Sequence, residues 1–215
     1  STLDLGSALS DTEWTLRFKF DVTNKDLDAA ANGEHMYFRM TDTVTTDYIG
    51  NADYVSLSVV RSYGTAYWGV NTVDNSTELA SWCTTCFATT YEEGTYYIEM
   101  GRDGDEFTIK QYSDAEYTDL VQSVTETQAS VTGLRYFQAV VFTAGYSDRA
   151  GNISGTLDDL QIWNAPSGTL HTYSWETVTA DTGSSTTTYA DNFPSRLAGA
   201  DYTWRISGIN SFGTS

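Results

Sequence analysis

The segment from residue 14 to residue 22 alternates strictly between apolar and polar side chains. Its apolar members are Trp14, Leu16, Phe18, Phe20 and Val22. Because successive side chains of a β-strand point to opposite faces of a sheet, this period of two predicts an antiparallel strand with one buried face. The same alternation recurs at 36–40 and 55–59, and no stretch keeps a helical period for three turns. The chain is therefore predicted to be all-β.

Turn signals separate the predicted strands. The Asp103-Gly104 pair divides two strand-like runs and predicts a hairpin. Roughly a dozen such strands in about 165 residues favour an antiparallel two-sheet sandwich of the jelly-roll type. After residue 164 the composition changes. We therefore predict a jelly roll over 1–164, a short linker over 165–169 and an additional small β segment over 170–215.

The chain carries a formal net charge of −18. Such a surface repels nucleic acid and anionic membranes, and no run of about 18 apolar residues is present to span a membrane. We expect neither a nucleic-acid partner nor membrane insertion. The charge is typical of a secreted or cell-surface protein or of calcium binding, although solubility alone also accounts for it. Sequons at Asn75 and Asn152 predict glycosylation, and the start at Ser1 without Met fits a processed, excised or incompletely determined chain.

The two cysteines form one Cys83-Thr-Thr-Cys86 unit. A redox motif of this spacing begins a helix beside a βαβ pattern, which this sequence lacks. A zinc site would need two further ligands, and His35 and His171 have no spacing that supports such a role. We interpret the unit as a small loop disulfide that stiffens its loop locally.

Three segments occur in the order LDLGSALSDTEWTLRFKFDV, YYIEMGRDGDEFTIKQYSDAEYTDLV and GTLDDLQIWN. Together they resemble the concanavalin A-like, laminin G-like jelly roll over about residues 1–164. In that superfamily the last core strand often carries a small-x-hydrophobic-Asp-Asp-hydrophobic pattern. Gly155, Leu157, Asp158, Asp159 and Leu160 match that pattern. The resemblance implies a two-sheet sandwich.

The same resemblance implies a structural calcium ion near the ends of the domain. Asp158 or Asp159 would supply one oxygen ligand, with Asp4 or Asp11 as helpers, because calcium requires six to eight oxygens. In the alternative interpretation, one aspartate of the pair points to solvent and the other accepts hydrogen bonds from a neighbouring loop.

The end of the chain, YTWRISGINSFGTS, resembles the final hairpin of a fibronectin type III domain. The matching residues are Tyr202, Trp204, Arg205, Asn210 and Gly213. A full domain of this architecture has about 100 residues, of which only about 50 are present. Three explanations stay open. The chain is a fragment of a longer protein, the half-module docks as extra strands on the jelly roll, or a neighbouring subunit supplies the missing strands.

Catalytic arrangements are not evident in the sequence. Enzymes of the concanavalin-like fold often carry a strand with paired carboxylates, but Glu99 and Asp103 have the wrong spacing and lie across a turn. Lyases of this fold use His, Tyr, Arg and Gln on the concave sheet, and the Gln161–Trp163 segment lacks the His. With no Ser/His/Asp arrangement either, we do not expect an enzyme.

Glycan sites commonly combine an aromatic surface with amide and carboxylate groups. The aromatic residues of the Gly-, Ser- and Thr-rich region around the cysteine loop are predicted to bind a ligand: Trp82 first, then Trp68, Tyr67 and Tyr63. The alternative is that they pack in the core, as is predicted for Trp14, Trp163 and Trp204.

These observations together favour a non-catalytic extracellular adhesion or recognition protein with glycans or cell-surface ligands as partners. One alternative is a structural subunit of an extracellular filament or surface assembly, in which copies join by strand complementation through the C-terminal segment. A weaker alternative is an accessory module of a polysaccharide-degrading enzyme.

Overall fold

The computed structural model describes residues 2–27, 33–44, 52–62, 65–75, 77–80, 86–141, 152–164, 170–172, 174–175, 202–203 and 206–207. All regular elements in these ranges are β-strands, and the ranges contain no helix long and apolar enough to cross a membrane. The first eight strands are β1 (Thr2–Asp4), β2 (Glu13–Asp26), β3 (Gly33–Thr41), β4 (Tyr54–Ser62), β5 (Thr65–Asp74), β6 (Thr77–Ala80), β7 (Cys86–Thr90) and β8 (Gly94–Asp103). The others are β9 (Glu106–Tyr112), β10 (Leu120–Thr127), β11 (Tyr136–Val141), β12 (Asn152–Asn164), β13 (Leu170–Thr172), β14 (Ser174–Trp175), β15 (Tyr202–Thr203) and β16 (Ile206–Ser207).

The strands form two large antiparallel sheets. Sheet A has the order β1-β11-β3-β4-β5-β6, with β7 also paired to β5. Sheet B has the order β10-β9-β8-β2-β12-β13, with β16 also paired to β12. A separate parallel pair joins β14 to β15. The prediction of an all-β, antiparallel two-sheet jelly-roll sandwich is confirmed, and the hairpin predicted at Asp103-Gly104 joins β8 to β9.

Aromatic side chains from both sheets meet in the core. The ring of Phe18 in sheet B lies 4.6 Å from that of Phe38 in sheet A and 5.8 Å from that of Phe137, centroid to centroid. Phe20 contacts Phe38 edge-on at 4.9 Å. Tilted and edge-on pairs suit the charge distribution of aromatic rings, and the buried apolar area supplies the main stabilising free energy. Trp14 is 2 % exposed, so its predicted core position is confirmed.

The adjacent aspartates of β12 lie in a β-bulge. Asp158 is opposite Lys19 of β2, and the next paired residue, Gln161, is opposite Arg17. Two residues of β12 therefore stand opposite one residue of β2, which defines a bulge. The first of the two, Asp159, is exposed and has a φ of 55°, in the left-handed region. A short polar side chain tolerates this region better than most others do.

The bulge changes which side chains of β12 face the core. In a regular strand Leu157 and Trp163 would share a face, because Trp163 follows Leu157 by six positions, which is an even number. The extra residue instead places Leu160 and Ile162 in the core with Leu157, at 3, 2 and 4 % exposure. Trp163 is half-buried on the opposite face, so its predicted core position is wrong. Asp158 is half-buried and Asp159 exposed, so neither aspartate is buried in the core.

Two short strands of the C-terminal segment pair with the free edge of β12. β13 pairs antiparallel along 161–163, and β16 pairs antiparallel at 156–157. This pairing is the arrangement expected if the segment docks as extra strands on the jelly roll. The predicted linker over 165–169 and most of the segment over 170–215 lie outside the described ranges, so the predicted domain division stays a prediction.

Substitutions at Asp159 test the bulge. Asp159→Val places a β-branched side chain at a positive φ, and we expect it to lower the free energy of unfolding by about 1–2 kcal/mol. Asp159→Gly should leave stability unchanged or raise it slightly, since glycine adopts this φ without strain. Urea denaturation measures both. Ser123→Val, on an exposed strand position, is the control and should change stability by less than about 0.5 kcal/mol. Equal losses for Val and Gly would contradict this account.

Candidate functional site

Sheet A carries a row of polar residues on its outer face, opposite the core. Gln138, Arg39, Ser56 and Asn71 lie directly opposite one another on β11, β3, β4 and β5. Each of the four is 2 % exposed or less. The outer face of an antiparallel sheet is commonly solvated. This row is instead part of a buried polar layer.

Arg39 lies at the centre of that layer. Its guanidinium carbon is 3.9 Å from the ring centroid of Tyr37 and 4.0 Å from that of Tyr54. The Tyr54 hydroxyl accepts a hydrogen bond from Nδ2 of Asn71 at 3.1 Å. Burial raises the pKa of Tyr37, so its phenol stays neutral beside the cation. A desolvated cation over two rings is favourable only while both rings stay in place.

A buried carboxylate completes the outer face of sheet A. Oε1 of Glu34 accepts a short hydrogen bond from Oγ of Ser58. His35 follows Glu34 in β3, and each of these two residues is 2 % exposed. Buried polar groups of this kind are stabilising when their hydrogen bonds are made and costly when they are not. The sign of the layer's contribution to stability therefore depends on how many of its polar atoms are hydrogen-bonded.

The outer face of sheet A assembles residue types that the sequence search did not find together: His35, Tyr37, Arg39 and Gln138. The alternation of β3 places His35, Tyr37 and Arg39 on one face of that strand, which is a signal that the sequence contains. Gln138 joins them from β11, because it lies directly opposite Arg39, and this register is not visible in the sequence. All four are buried to 2 % exposure or less, so a ligand would reach them only after the layer had opened.

Sheet B carries two adjacent rows on its outer face, and these rows are more exposed. The first consists of Gln161, Arg17, Glu99 and Lys110, opposite one another on β12, β2, β8 and β9. The second consists of Asp158, Lys19, Tyr97, Tyr112 and Leu120 on the same strands and β10. Neighbouring strands are about 4.8 Å apart, so five strands span about 19 Å. The rows form a strip across the sheet.

Arg17 is at the centre of this strip. Its guanidinium carbon lies 4.6 Å from the ring centroid of Tyr117 and 5.2 Å from that of Trp163. Oε2 of Glu99 accepts from Nε of Arg17 at 2.7 Å and pairs with Nη2 at 2.6 Å. Oε1 of Glu99 accepts from Nζ of Lys110 at 2.8 Å. One carboxylate thus holds two cations in place.

These contacts determine the charge of Glu99. Burial alone would raise the pKa of its carboxyl group, but hydrogen bonds from Lys110 and Arg17 outweigh burial and bring the pKa below its ordinary value. The same hydrogen bond raises the pKa of Lys110. Glu99 is therefore ionised and Lys110 protonated at neutral pH.

A turn after β9 places Tyr117 over the strip. Tyr117 has a φ of 56°, and its N–H donates to the carbonyl of Asp114 at 3.3 Å. Oδ1 of Asp114 accepts from the backbone N–H of Asp119 at 2.6 Å, which closes the turn. The Tyr117 ring packs edge-on against Tyr97 at 6.0 Å and Tyr112 at 5.5 Å. Left-handed backbone at a non-glycine residue persists only where its surroundings hold it.

We name this surface the Arg17 platform. It consists of Arg17, Tyr97, Glu99, Lys110, Tyr112, Tyr117 and Trp163. Burial, followed by the charge of Asp159 in the bulge, raises the pKa of Tyr117 despite the nearby guanidinium of Arg17. The turn after β9 and the strand β12 meet at the platform through Tyr117 and Trp163, which both contact the guanidinium of Arg17. The rings of Tyr97, Tyr117 and Trp163 are half-buried, so part of each stays accessible.

The residues predicted to bind a ligand are not part of the platform. Trp68 is fully buried in the core, where it packs edge-on against Tyr91 at 5.1 Å. Tyr67 is half-buried on the outer face of sheet A. Trp82 and Tyr63 lie outside the described residues. The Trp68 ring is therefore not exposed for ligand binding. Tyr67, its neighbour in β5, points to the opposite face of the sheet.

The predicted calcium ligands do not come together. Asp4 belongs to sheet A, and its two carboxylate oxygens accept from Arg135 at 2.7 and 2.8 Å. Asp158 and Asp159 belong to sheet B, and Asp11 accepts a backbone N–H at 2.8 Å. Within the described ranges, no three His, Cys, Asp or Glu side chains are grouped so as to hold a metal. Because calcium also takes backbone carbonyl ligands, a site that uses one of these aspartates stays a prediction.

The predicted covalent sites stay predictions. Cys83 and the side chain of Cys86 lie outside the described residues, so the loop disulfide is not tested. Asn75 is exposed in the turn after β5 with a φ of 43°, and its N–H donates to Oδ1 of Asp53 at 3.0 Å. Asn152 begins β12, and its side chain is outside the description.

Fold and site together define an antiparallel jelly-roll sandwich with a half-exposed aromatic and charged outer face. No protein-family model and no curated protein matches the chain. One similar solved structure is the CBM2 module of Lactobacillus casei BL23 phage J-1 evolved Dit, at 16 % identity and a TM-score of 0.42. That match covers 71 % of this chain and 60 % of the other, less than two thirds of its length.

Two further solved structures are similar to this chain at the same low level. The exoplasmic/lumenal domain of VIP36, in a Ca²⁺/Man3GlcNAc-bound form, matches at 14 % identity and a TM-score of 0.48, over 77 % of this chain and 73 % of that one. Tailspike protein 2 of Escherichia coli O157:H7 bacteriophage CAB120 matches at 10 % identity and a TM-score of 0.42, over 77 % and 21 %. At these identities the similarity concerns the fold alone. Neither bears on the fibronectin type III-like interpretation, which stays a prediction.

Replacing Arg39 tests the buried layer. Arg39→Lys loses the planar guanidinium that contacts both tyrosine rings, and we expect the free energy of unfolding to fall by about 1–3 kcal/mol. Arg17→Lys is the matched control, because Arg17 also contacts two rings but is partly exposed; its loss should be less than about 1 kcal/mol. Urea midpoints at constant slope measure both changes. Equal losses of unfolding free energy in the two variants would show that burial does not make the Arg39 contacts more stabilising than those of Arg17.

The lowered pKa of Glu99 predicts a pH-dependent contribution to stability. The pKa of the carboxyl group in the folded state lies below its ordinary value of 4.5. Its contribution is therefore fully present above that value and is lost as pH falls through the folded pKa. Urea unfolding of the wild type and Glu99→Gln at a series of acidic pH values measures this. The stability difference between them should shrink on acidification; parallel curves would contradict the assignment.

Proposed function

We propose that this chain is a non-catalytic extracellular recognition or adhesion protein that binds glycans on the Arg17 platform. The observation that carries the proposal is the half-exposed strip of Trp163, Arg17, Tyr117 and Tyr97 held in place on sheet B. Because the TM-scores of the solved structures lie below 0.5, the platform itself is the basis of the proposal.

The chemistry of the platform suits a sugar. Aromatic faces provide apolar contact area at low cost in side-chain entropy, and they can stack on the C–H faces of a pyranose ring. Glu99 is buried and holds Arg17 and Lys110 in place, and the N–H groups of these two cations that do not face Glu99 could donate to ligand hydroxyls. A few fixed polar groups around an apolar surface are the usual composition of a binding site for a small polar ligand.

The charges argue against catalysis at the platform. Glycoside hydrolysis by paired carboxylates needs one carboxyl group that stays protonated near neutral pH. The pKa of Glu99 is shifted the other way, by hydrogen bonds from Lys110 and Arg17. The His, Tyr, Arg and Gln set of sheet A is buried, which keeps it from a polymeric substrate. Recognition rather than turnover is therefore the function we propose.

One observation favours a second candidate function, a structural subunit of an extracellular assembly. β12 accepts the short strands β13 and β16 at its edge, and a strand exchanged from a neighbouring copy would pair at the same place. Light scattering with electron microscopy separates the two candidates. A monomer supports recognition, and regular filaments support assembly. An extracellular location also stays a proposal, in keeping with the net charge of −18. The weaker alternative, an accessory module of a polysaccharide-degrading enzyme, stays a proposal as well.

Paired substitutions test where a glycan binds. A glycan array identifies a ligand for the wild type, and titration calorimetry with that glycan compares variants. Trp163→Ala should weaken binding at least about tenfold, since large aromatic residues dominate binding surfaces. Tyr67→Ala removes a half-buried tyrosine on the other sheet and should leave affinity within about twofold. The reverse result would move the site to the region that the sequence predicted.

A further inference from the structure

We infer that the Arg17 platform selects an extended, uncharged glycan chain that lies across the strands of sheet B, and that it disfavours chains bearing carboxylates or sulfates. This inference rests on the proposed function and names its ligand class. Two features of the site carry it: the length of the strip across the sheet, and the placement of charge along it.

The strip crosses sheet B from β12 to β10, and the Tyr117 ring lies over its middle. Direct cross-strand pairs connect Asp158 to Lys19, Lys19 to Tyr97, Tyr97 to Tyr112 and Tyr112 to Leu120, over five strands. Five strands span about 19 Å, which is longer than one sugar ring. Leu120 at its far end is 50 % exposed, and Trp163 lies at the other end, on β12. A ligand that uses both ends must be a chain.

The platform cations are already engaged. Arg17 directs Nε and Nη2 to Glu99, and Lys110 directs Nζ to the same carboxylate. A bidentate salt bridge between Arg17 and a ligand carboxylate would have to break the contact with Glu99. Glu99 is only 7 % exposed, and an unpaired carboxylate at that depth would be destabilising. The site therefore offers single donor contacts to hydroxyl groups rather than an ion pair.

Acidic side chains surround the platform. The bulge and the turn after β9 contribute Asp158, Asp159, Asp114, Glu116 and Asp119. Lys19 is paired with Asp21 at 2.6 Å, so its charge is largely balanced. With a net charge of −18 on the whole chain, the local field repels an anionic polymer and leaves a neutral one unaffected. Salt screens this repulsion over about 10 Å at 0.1 M.

The first experiment varies ligand length. Mannan, xylan and laminarin are compared first, and the one that binds best is chosen. Titration calorimetry then compares the disaccharide and the hexasaccharide derived from that polysaccharide. The hexasaccharide should bind about tenfold or more tightly, because only it contacts both ends of the strip. Trp163→Ala should reduce this advantage. Equal affinity for the two lengths would overturn the extended mode.

The second experiment varies charge. Alginate and chondroitin sulfate should bind more weakly than the neutral polymer at low salt, and the gap should narrow as salt rises. Asp159→Asn keeps a residue that tolerates the left-handed backbone, and it should raise binding of alginate about threefold or more at low salt. Asp26→Asn removes the same charge at the far end of β2 and is the matched control. Alginate binding as tightly as the neutral polymer would overturn the inference.

The two levels of the proposal fail differently. If none of these polymers binds and Trp163→Ala has no effect on any array signal, the proposed function fails. If glycans bind through Trp163 but acidic or short chains bind equally well, the proposed function stands and the ligand class named here is wrong.

Discussion

One extra residue in β12, accommodated by the left-handed backbone of Asp159, determines which side chains of that strand reach the core. It keeps Leu160 and Ile162 against the core aromatics and moves Trp163 to the outer face. Trp163 then meets Arg17, which Glu99 holds from the neighbouring strand. The platform thus depends on the bulge, since a regular strand would place that indole in the core.

The two outer faces use the same construction with opposite results. Each carries a cross-strand row with an arginine over two aromatic rings, Arg39 on sheet A and Arg17 on sheet B. Arg39 is fully buried, so its contacts act in a low dielectric and serve stability. Arg17 stays partly exposed, so the rings around it keep accessible area. Burial, rather than residue type, separates the buried layer of sheet A from the surface that we propose to bind a ligand on sheet B.

Much of the fold could be predicted from local pattern. The alternation in β2, the Asp103-Gly104 turn and the strand content follow from near neighbours, and the structure confirms them. The platform could not be predicted in this way. Arg17, Glu99 and Lys110 are far apart in sequence and meet only through strand register. The predicted ligand residues followed a local cluster of aromatic residues, which does not reveal that Trp68 points into the core.

The sequence by itself determined the all-β class, the hairpin at Asp103-Gly104 and the acidic surface, because each depends on periodicity, turn chemistry or composition. The sequence showed that the Asp158-Asp159 pair is unusual in a strand. Its structural role depended on the residues of β2 that lie opposite it. Only the tertiary structure decided that the pair forms a bulge and which of the two outer faces stays accessible. Strand register and burial depend on contacts between segments that are far apart in the chain, so the local sequence pattern alone does not predict them.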